Sequence, residues 1–272
     1  MPSLDLSQLL LLAGAALVAG AVNAVAGGGS LLSFPALLAV GYPALTANVT
    51  NSVALTPGYF GGTLGYRREL TGQRGRILAL GATSAIGAVV GAALLLVSSQ
   101  ALFERIVPWL IFLACGLLAV QPRLARLVRD RRPAPDADPG LDAGPARAGR
   151  AGVDGHTAAL FAAQFLAAAY GAYFGAGVGI MMLAILGIFV ADTLQRLNAL
   201  KGLLSLLVAI VAAIAFALFA EVGWLAVAVM AVASLLGGQL GVVLARRLND
   251  RALRWLVVAF GTAVGLRLLL GG

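Results

Sequence analysis

Residues 77–97 read ILALGATSAIGAVVGAALLLV, a run without one charged side chain. At 1.5 Å per residue such a run is long enough to cross about 30 Å of hydrocarbon as a helix, which is the strongest single constraint on what this chain can become. Comparable runs occupy 9–26, 106–121, 194–219, 223–245 and 252–270. Unpaired backbone groups are costly in lipid, so spanning segments are helices or closed barrels, and long unbroken apolar runs choose helices. The whole chain is 61% hydrophobic and 11% charged, with a mean hydropathy of +0.97. These values predict an all-α polytopic membrane protein, multi-pass, with the lipid bilayer as its first partner.

A net charge of +8 would suit nucleic acid in another context. Here the arginines sit in short clusters between apolar runs, the pattern of positive-inside loops, and no nucleic-acid partner is expected. Cys115 stands alone inside an apolar run, and the single histidine, His156, has no Cys or second His beside it. No metal site, no cofactor and no catalytic nucleophile–base pair can be assembled from such residues, so the chain does not read as an enzyme. Asp5 precedes the first run and no Lys or Arg does, so the basic flank of a secretory signal is lacking and the first span is expected to be retained.

In order, 9–26 breaks at Gly27, Gly28, Gly29 and Ser30, and Leu31 to Val40 continues with Pro35 inside it. Two half-helices meeting at a glycine break are expected. Residues 44–64 hold Asn48, Thr50, Asn51 and Ser52 within an apolar setting, a polar density that within a span usually serves a purpose. The loop 65–76 carries Arg67, Arg68, Arg74 and Arg76, which marks it as cytoplasmic. Spans 77–97 and 106–121 form a hairpin, with Gly87 and Gly91 at the spacing that lets helices pack closely. Residues 122–155, with seven arginines and five aspartates, read as a loosely ordered cytoplasmic linker. It divides an N-terminal repeat, 1–121, from a C-terminal repeat, 156–272.

The repeat has an offset of 150. Gly27 falls on Gly177, Gly29 on Gly179, Asn48 on Asn198, Asn51 on Lys201, and Gly87 with Gly91 on Gly237 with Gly241. Arginine-rich and arginine-poor loops exchange places between the copies: 65–76 is rich where 217–226 has only Glu221, and 98–105 is poor where 246–254 has Arg246, Arg247, Arg251 and Arg254. Inverted repeats are therefore favoured, each a Gly-broken helical hairpin or pair of short spans plus three further spans. A parallel duplication of four spans each is the alternative.

Lys201 is the only lysine, and it lies inside span 194–219. A cation near mid-bilayer costs about 2.5–3.5 kcal/mol on insertion scales, so it needs a partner or a snorkelling route. Asn198 and Ser205 share its helical face, and Asn48, Thr50, Asn51 and Ser52 form the corresponding patch of the first half. Helix breaks from Gly27 to Ser30, with Gly28 and Gly29 inside, and from Gly175 to Gly179, with Gly177 inside, offer backbone N–H groups to an anion. Asn23 and Tyr173 are further candidate lining residues, with Tyr170 and Gln164 beside them in the apolar runs.

The motifs NAVAGGGSLLSFPALL and TANVTNS in the first half, and GAYFGAGVGIMML with LNALK in the second, resemble those of the TauE/SafE sulfite-exporter family. That resemblance implies a permease for a small sulfur-containing anion, sulfite, a sulfonate or a related organic anion. Other readings are a permease for an unrelated anion, and an assembly or sensor subunit without transport. Association into a homo-oligomer is open.

Overall fold

A computed structural model of the protein describes residues 2, 4–25, 27–130, 155–244 and 250–270, all helical apart from short connections. Ten helices appear among them: α1 Leu6–Val25, α2 Ser30–Ala39, α3 Ala44–Gly65, α4 Arg74–Val97, α5 Gln100–Asp130, α6 Gly155–Tyr173, α7 Val178–Phe189, α8 Leu194–Phe219, α9 Trp224–Leu244 and α10 Asp250–Leu270. Five of them, α1, α4, α5, α8 and α9, contain stretches long and apolar enough to cross a membrane. Large apolar side chains such as Leu78, Ile86, Trp109 and Val232 are exposed on the outside, as lipid contact requires.

The expected linker 122–155 begins as helix, because α5 continues through Asp130. Leu124, Leu127 and Val128 recur at helical spacing among the arginines there, so the local pattern sustains the helix. Residues 131–154, Arg246 and Arg247 lie outside the described residues.

Contacts fix the directions of the helices. Gly202 on α8 faces Thr63 on α3, and Thr56 Oγ1 on α3 reaches the Ala209 carbonyl 3.4 Å away, so these helices run antiparallel. Gly261 and Gly265 on α10 lie against Cys115 and Phe112 on α5, and Arg254 Nε donates to Gln121 Oε1 at 3.4 Å, so that pair is antiparallel too. By contrast, α4 runs parallel to α6: a Cβ at Gly87 or Gly91 would fall on the carbonyls of Phe165 and Ala169. The same device joins α9 to α1, where Gly237 and Gly241 lie on Leu17 and Ala21. Each half thus packs its glycine-bearing helix onto the broken hairpin of the other, which interlocks them.

Following these directions puts the 66–73 turn, the end of α5, the start of α6 and the start of α10 on one side, here called the arginine face. Hairpin α1–α2 enters from the opposite face and returns to it; hairpin α6–α7 does the same from the arginine face. Their breaks meet inside, where Gly27 backbone touches Gly179. Gly27 and Gly175 both have positive φ, +80° and +81°, which glycine adopts without strain.

The repeat register departs from a uniform offset of 150. Gly27 N–H donates to the Val22 carbonyl and Gly175 N–H to the Tyr170 carbonyl, a pair of matching bonds 148 apart. The helix caps Val40 and Val190 bond to Ala36 and Leu186 at an offset of 150. The difference lies in the short helices: α2 has 10 residues and α7 has 12. Gly27 therefore corresponds to Gly175 and Gly29 to Gly177, a correction to the register assigned from sequence. Two extra residues inside a helix leave both flanking patterns intact, which is why a single offset looked sufficient.

Candidate functional site

The interior of the antiparallel α3–α8 pair carries the polar residues of interest. Lys201 is buried, 7% exposed, on the face of α8 turned toward the glycine crossing. A Cβ placed on Gly179 would lie 3.7 Å from its Cδ. No hydrogen bond or ion pair to Lys201 occurs among the described residues. It lines a narrow crevice of about 30 Å³ together with Asn198, Gly202 and Ser205 of α8, Asn23 and Gly27 of the first hairpin, Gly179 of the second, Gly58, Tyr59, Gly62 and Thr63 of α3, and Tyr66 just past its end. Lys201 is the sole charged residue in that lining. A desolvated ammonium with amide, hydroxyl and glycine backbone around it is a donor set for a small anion.

A second crevice, also of about 30 Å³, lies farther along the same helices. Ser52, Leu55 and Tyr59 of α3, Ser205, Val208, Ala209 and Ala212 of α8, and Ser30, Gly171, Gly175 and Val178 of the hairpins line it. With the register above, most of these are counterparts of the first lining: Gly171 of Asn23, Gly175 of Gly27, Ser52 of Gly202, Leu55 of Ser205, and Ala212 of Gly62. The second crevice contains no charged residue.

Among the residues singled out from sequence, Lys201, Asn198, Ser205, Asn23 and Gly179 line the lysine crevice, and Ser30 and Ser52 line the other. The remainder stand elsewhere. Asn48 Nδ2 donates to the Tyr173 carbonyl at 2.8 Å, tying α3 to the second hairpin. Thr50 Oγ1 accepts from the Gly223 N–H at 3.0 Å, which anchors α3 to the start of α9. Asn51 is 2% exposed and its Oδ1 has no partner among the described residues, yet it lines neither crevice. Gly28 packs on Leu118 and Gly177 on Ala114, both of α5. The Tyr173 hydroxyl pairs with Ser98 Oγ at 3.2 Å. Gln164 Nε2 donates to Ser84 Oγ at 2.9 Å and the Tyr170 hydroxyl to the Ala176 carbonyl at 2.7 Å.

The glycine breaks differ from their sequence reading in one respect. Gly29 N–H is not free for a guest, because it donates to Asn23 Oδ1 at 2.7 Å. Asn23 thereby staples the break of α1–α2 while also reaching the crevice wall. Sequence reasoning passed over Tyr59, Gly62 and Thr63 of α3 and Tyr66, the residue that caps it. Their spacing of three and four residues on one face was the available signal.

At the arginine face, near the start of α8, Asp192 receives Arg76 at 2.6 Å and Arg196 at 2.9 Å. Arg196 also donates to the Thr71 carbonyl at 3.1 Å, and Gln73 Nε2 to the Arg196 carbonyl at 3.3 Å. Burial alone would raise the Asp192 pKa, but hydrogen bonds from the Thr193 N–H, Arg196 and Arg76 outweigh it and hold the carboxyl below its usual range. The clamp fixes the turn after α3 to the connection between α7 and α8, beside the Tyr66 end of the lysine crevice.

A 30% identical stretch of 135 residues, 50% of this chain, aligns with "Probable membrane transporter protein ORF9" of Sinorhizobium sp.. That stretch spans 52% of the relative, so the match covers about half the length of each. No solved structure matches the chain. The family profile "Sulfite exporter TauE/SafE" matches residues 12–268, nearly the whole chain. The protein belongs to the TauE/SafE family, a family of membrane transporters.

Proposed function

We propose that this chain is a secondary transporter for a small sulfur-containing anion, sulfite or a sulfonate, and that Lys201 is its principal ligand. The observation that carries the reading is a buried lysine with no carboxylate partner among the described residues, lining a crevice with the Gly27 break and Gly179 near the start of α7. An anion 4 Å from the ammonium gains about 4 kcal/mol at an effective dielectric near 20, larger than any other single contact available there. Asn198 and Ser205, at three residues before and four after Lys201, supply hydrogen bonds from the same face.

The arrangement of the halves supports alternating access. Antiparallel α3 and α8, and hairpins that enter from opposite faces, favour inverted repeats related by an in-plane pseudo-two-fold axis. The positive-inside rule then makes the arginine face cytoplasmic in the inner membrane. The lysine crevice lies toward the cytoplasm and its counterpart toward the other side.

Flux of radiolabelled sulfite and of a short sulfonate in proteoliposomes tests the reading. Wild-type protein is expected to carry at least one of them, and flux by the Lys201→Ala variant to fall to background at the concentration that half-saturates wild type. Unchanged flux in that variant would remove the site, and wild-type flux confined to a sulfur-free anion would replace the substrate class. Topology is checked by cysteines introduced in the 122–155 region and at Glu221, expected to react from opposite sides of the membrane.

A further inference from the structure

The two crevices share two wall residues, Tyr59 of α3 and Ser205 of α8. On α3 the lysine crevice is lined from Gly58 to Tyr66 and the second crevice from Ser52 to Tyr59; on α8 the ranges are Asn198 to Ser205 and Ser205 to Ala212. Because Thr63 faces Gly202 and Thr56 faces Ala209, Tyr59 and Ser205 fall at one level of the antiparallel pair. The crevices therefore extend in opposite directions from that level, over roughly 20 Å of helix between Ser52 and Tyr66. That length is a large part of the hydrocarbon thickness.

At this level the halves are unlike. The counterpart of Tyr59 is Ala209, so one helix presents a phenol and the other a methyl group. Ser205 is engaged with the second hairpin, its hydroxyl 3.4 Å from Met182 Sδ. The Tyr59 hydroxyl has no hydrogen bond among the described residues, so none of these pins the ring in place.

From this geometry we infer that Tyr59 is the partition between two facing half-paths, a positioning residue that the anion must pass after leaving Lys201. The inference rests on the transport reading above for what passes, but the partition itself is open to a test without substrate. Steric closure is the role of the ring; the hydroxyl is dispensable for it. Passage requires the ring to swing or the α3–α8 pair to shift, while a permanently missing ring joins the crevices.

The experiment uses the full chain with Cys115, its only cysteine, replaced by alanine. Thr63→Cys reports on the lysine crevice and Ser52→Cys on the second one. Each is treated with a membrane-impermeant methanethiosulfonate in right-side-out and in inverted membrane vesicles. The expected result is labelling of each position from one side only, and from opposite sides. Adding Tyr59→Ala should make both positions react from both sides, with cross-side labelling rising to match the native side; Tyr59→Phe should leave the one-sided pattern intact. Labelling of both positions from the same side in the parent would overturn the two half-paths. One-sided labelling that persists in Tyr59→Ala would overturn the partition. If the alanine variant does not fold, Tyr59→Val is read by the same two outcomes. Sulfite flux is measured separately on wild type, so a wrong substrate class leaves the labelling result standing, and a wrong partition leaves the flux result standing.

Discussion

The two halves share a backbone plan and differ in what they hang on it. Each has a glycine-broken hairpin, a helix that packs on the other half's hairpin through paired glycines, and a central helix in the α3–α8 crossing. At matched positions the second half has Lys201 where the first has Asn51, and the first has Tyr59 where the second has Ala209. At the outer connections Asp192, held by two arginines, replaces Tyr42, whose ring lies against Gly223. There are two crevices along the α3–α8 pair: Lys201 lines one of them, and Tyr59 lines both. Two equal anion sites would hold the guest equally well on both sides. On the transport reading proposed above, a single charged site next to a neutral crevice would favour capture on one side and release on the other.

The comparison breaks most visibly at Lys201. Replacing it with alanine is expected to weaken anion affinity by roughly a hundredfold to a thousandfold, the equivalent of about 3–4 kcal/mol, measured as the concentration dependence of flux. Adding Asn51→Lys to that variant should not restore transport, since position 51 lines neither crevice. Recovery of flux would mean that the halves are interchangeable in chemistry as well as in backbone.

The glycine interfaces should instead behave alike in both halves. Gly91→Leu and Gly241→Leu each force a side chain into the backbone of Ala169 or Ala21, at an expected cost of about 3 kcal/mol each. Thermal unfolding in detergent should show both variants lowered by similar amounts, whereas Gly14→Leu, with nothing within 4 Å, should match wild type. A large loss at only one of the paired sites would show that the halves carry unequal structural loads.

Asn198 and Asn48 sharpen the contrast between ligand and strut. Asn198→Ala should reduce anion affinity by about tenfold with little change in stability, as loss of one hydrogen bond to a charged guest implies. Asn48→Ala should do the reverse. It removes the bond to the Tyr173 carbonyl, lowering stability by about 1–2 kcal/mol while leaving affinity near wild type.

That pair also shows where sequence reading stops. The spans, the glycine breaks and the arginine clusters follow from hydropathy and spacing, because lipid imposes one solution on the backbone. Lys201, Asn198 and Ser205 on one face of α8 follow from helical period. Asn48 and Thr50 looked the same as Asn198 from sequence, since a polar side chain in a span reads alike whether it meets a guest or a neighbouring backbone group. Their partners, the Tyr173 carbonyl and the Gly223 N–H, are distant in sequence and appear only when the halves are packed. Tyr59, Gly62 and Tyr66 were missed for the opposite reason: glycine and tyrosine in membrane helices usually mean packing and anchoring, and only the crossing of α3 with α8 turns them into a wall.

The smallest effect is expected at the arginine-face clamp, where the matched position on the opposite face is Tyr42. Asp192→Asn retains the shape but loses the charge that Arg76 and Arg196 share. Both arginines are partly solvated, their side chains 44% and 33% exposed, so the loss should be about 1 kcal/mol. The sign with pH follows from the lowered Asp192 pKa. A carboxyl whose folded pKa lies below its unfolded value contributes stability above the unfolded value, and that contribution disappears as pH falls through the folded one. Wild type should therefore exceed the asparagine variant by a constant margin through neutral and mildly acidic pH, and the two melting curves should converge only in strong acid. A margin that narrowed instead near neutral pH would assign the clamp's stability to another group. A Tyr42→Phe protein, altered at the matched connection, should show no pH-dependent difference from wild type over the same range, because its ring carries no charge there.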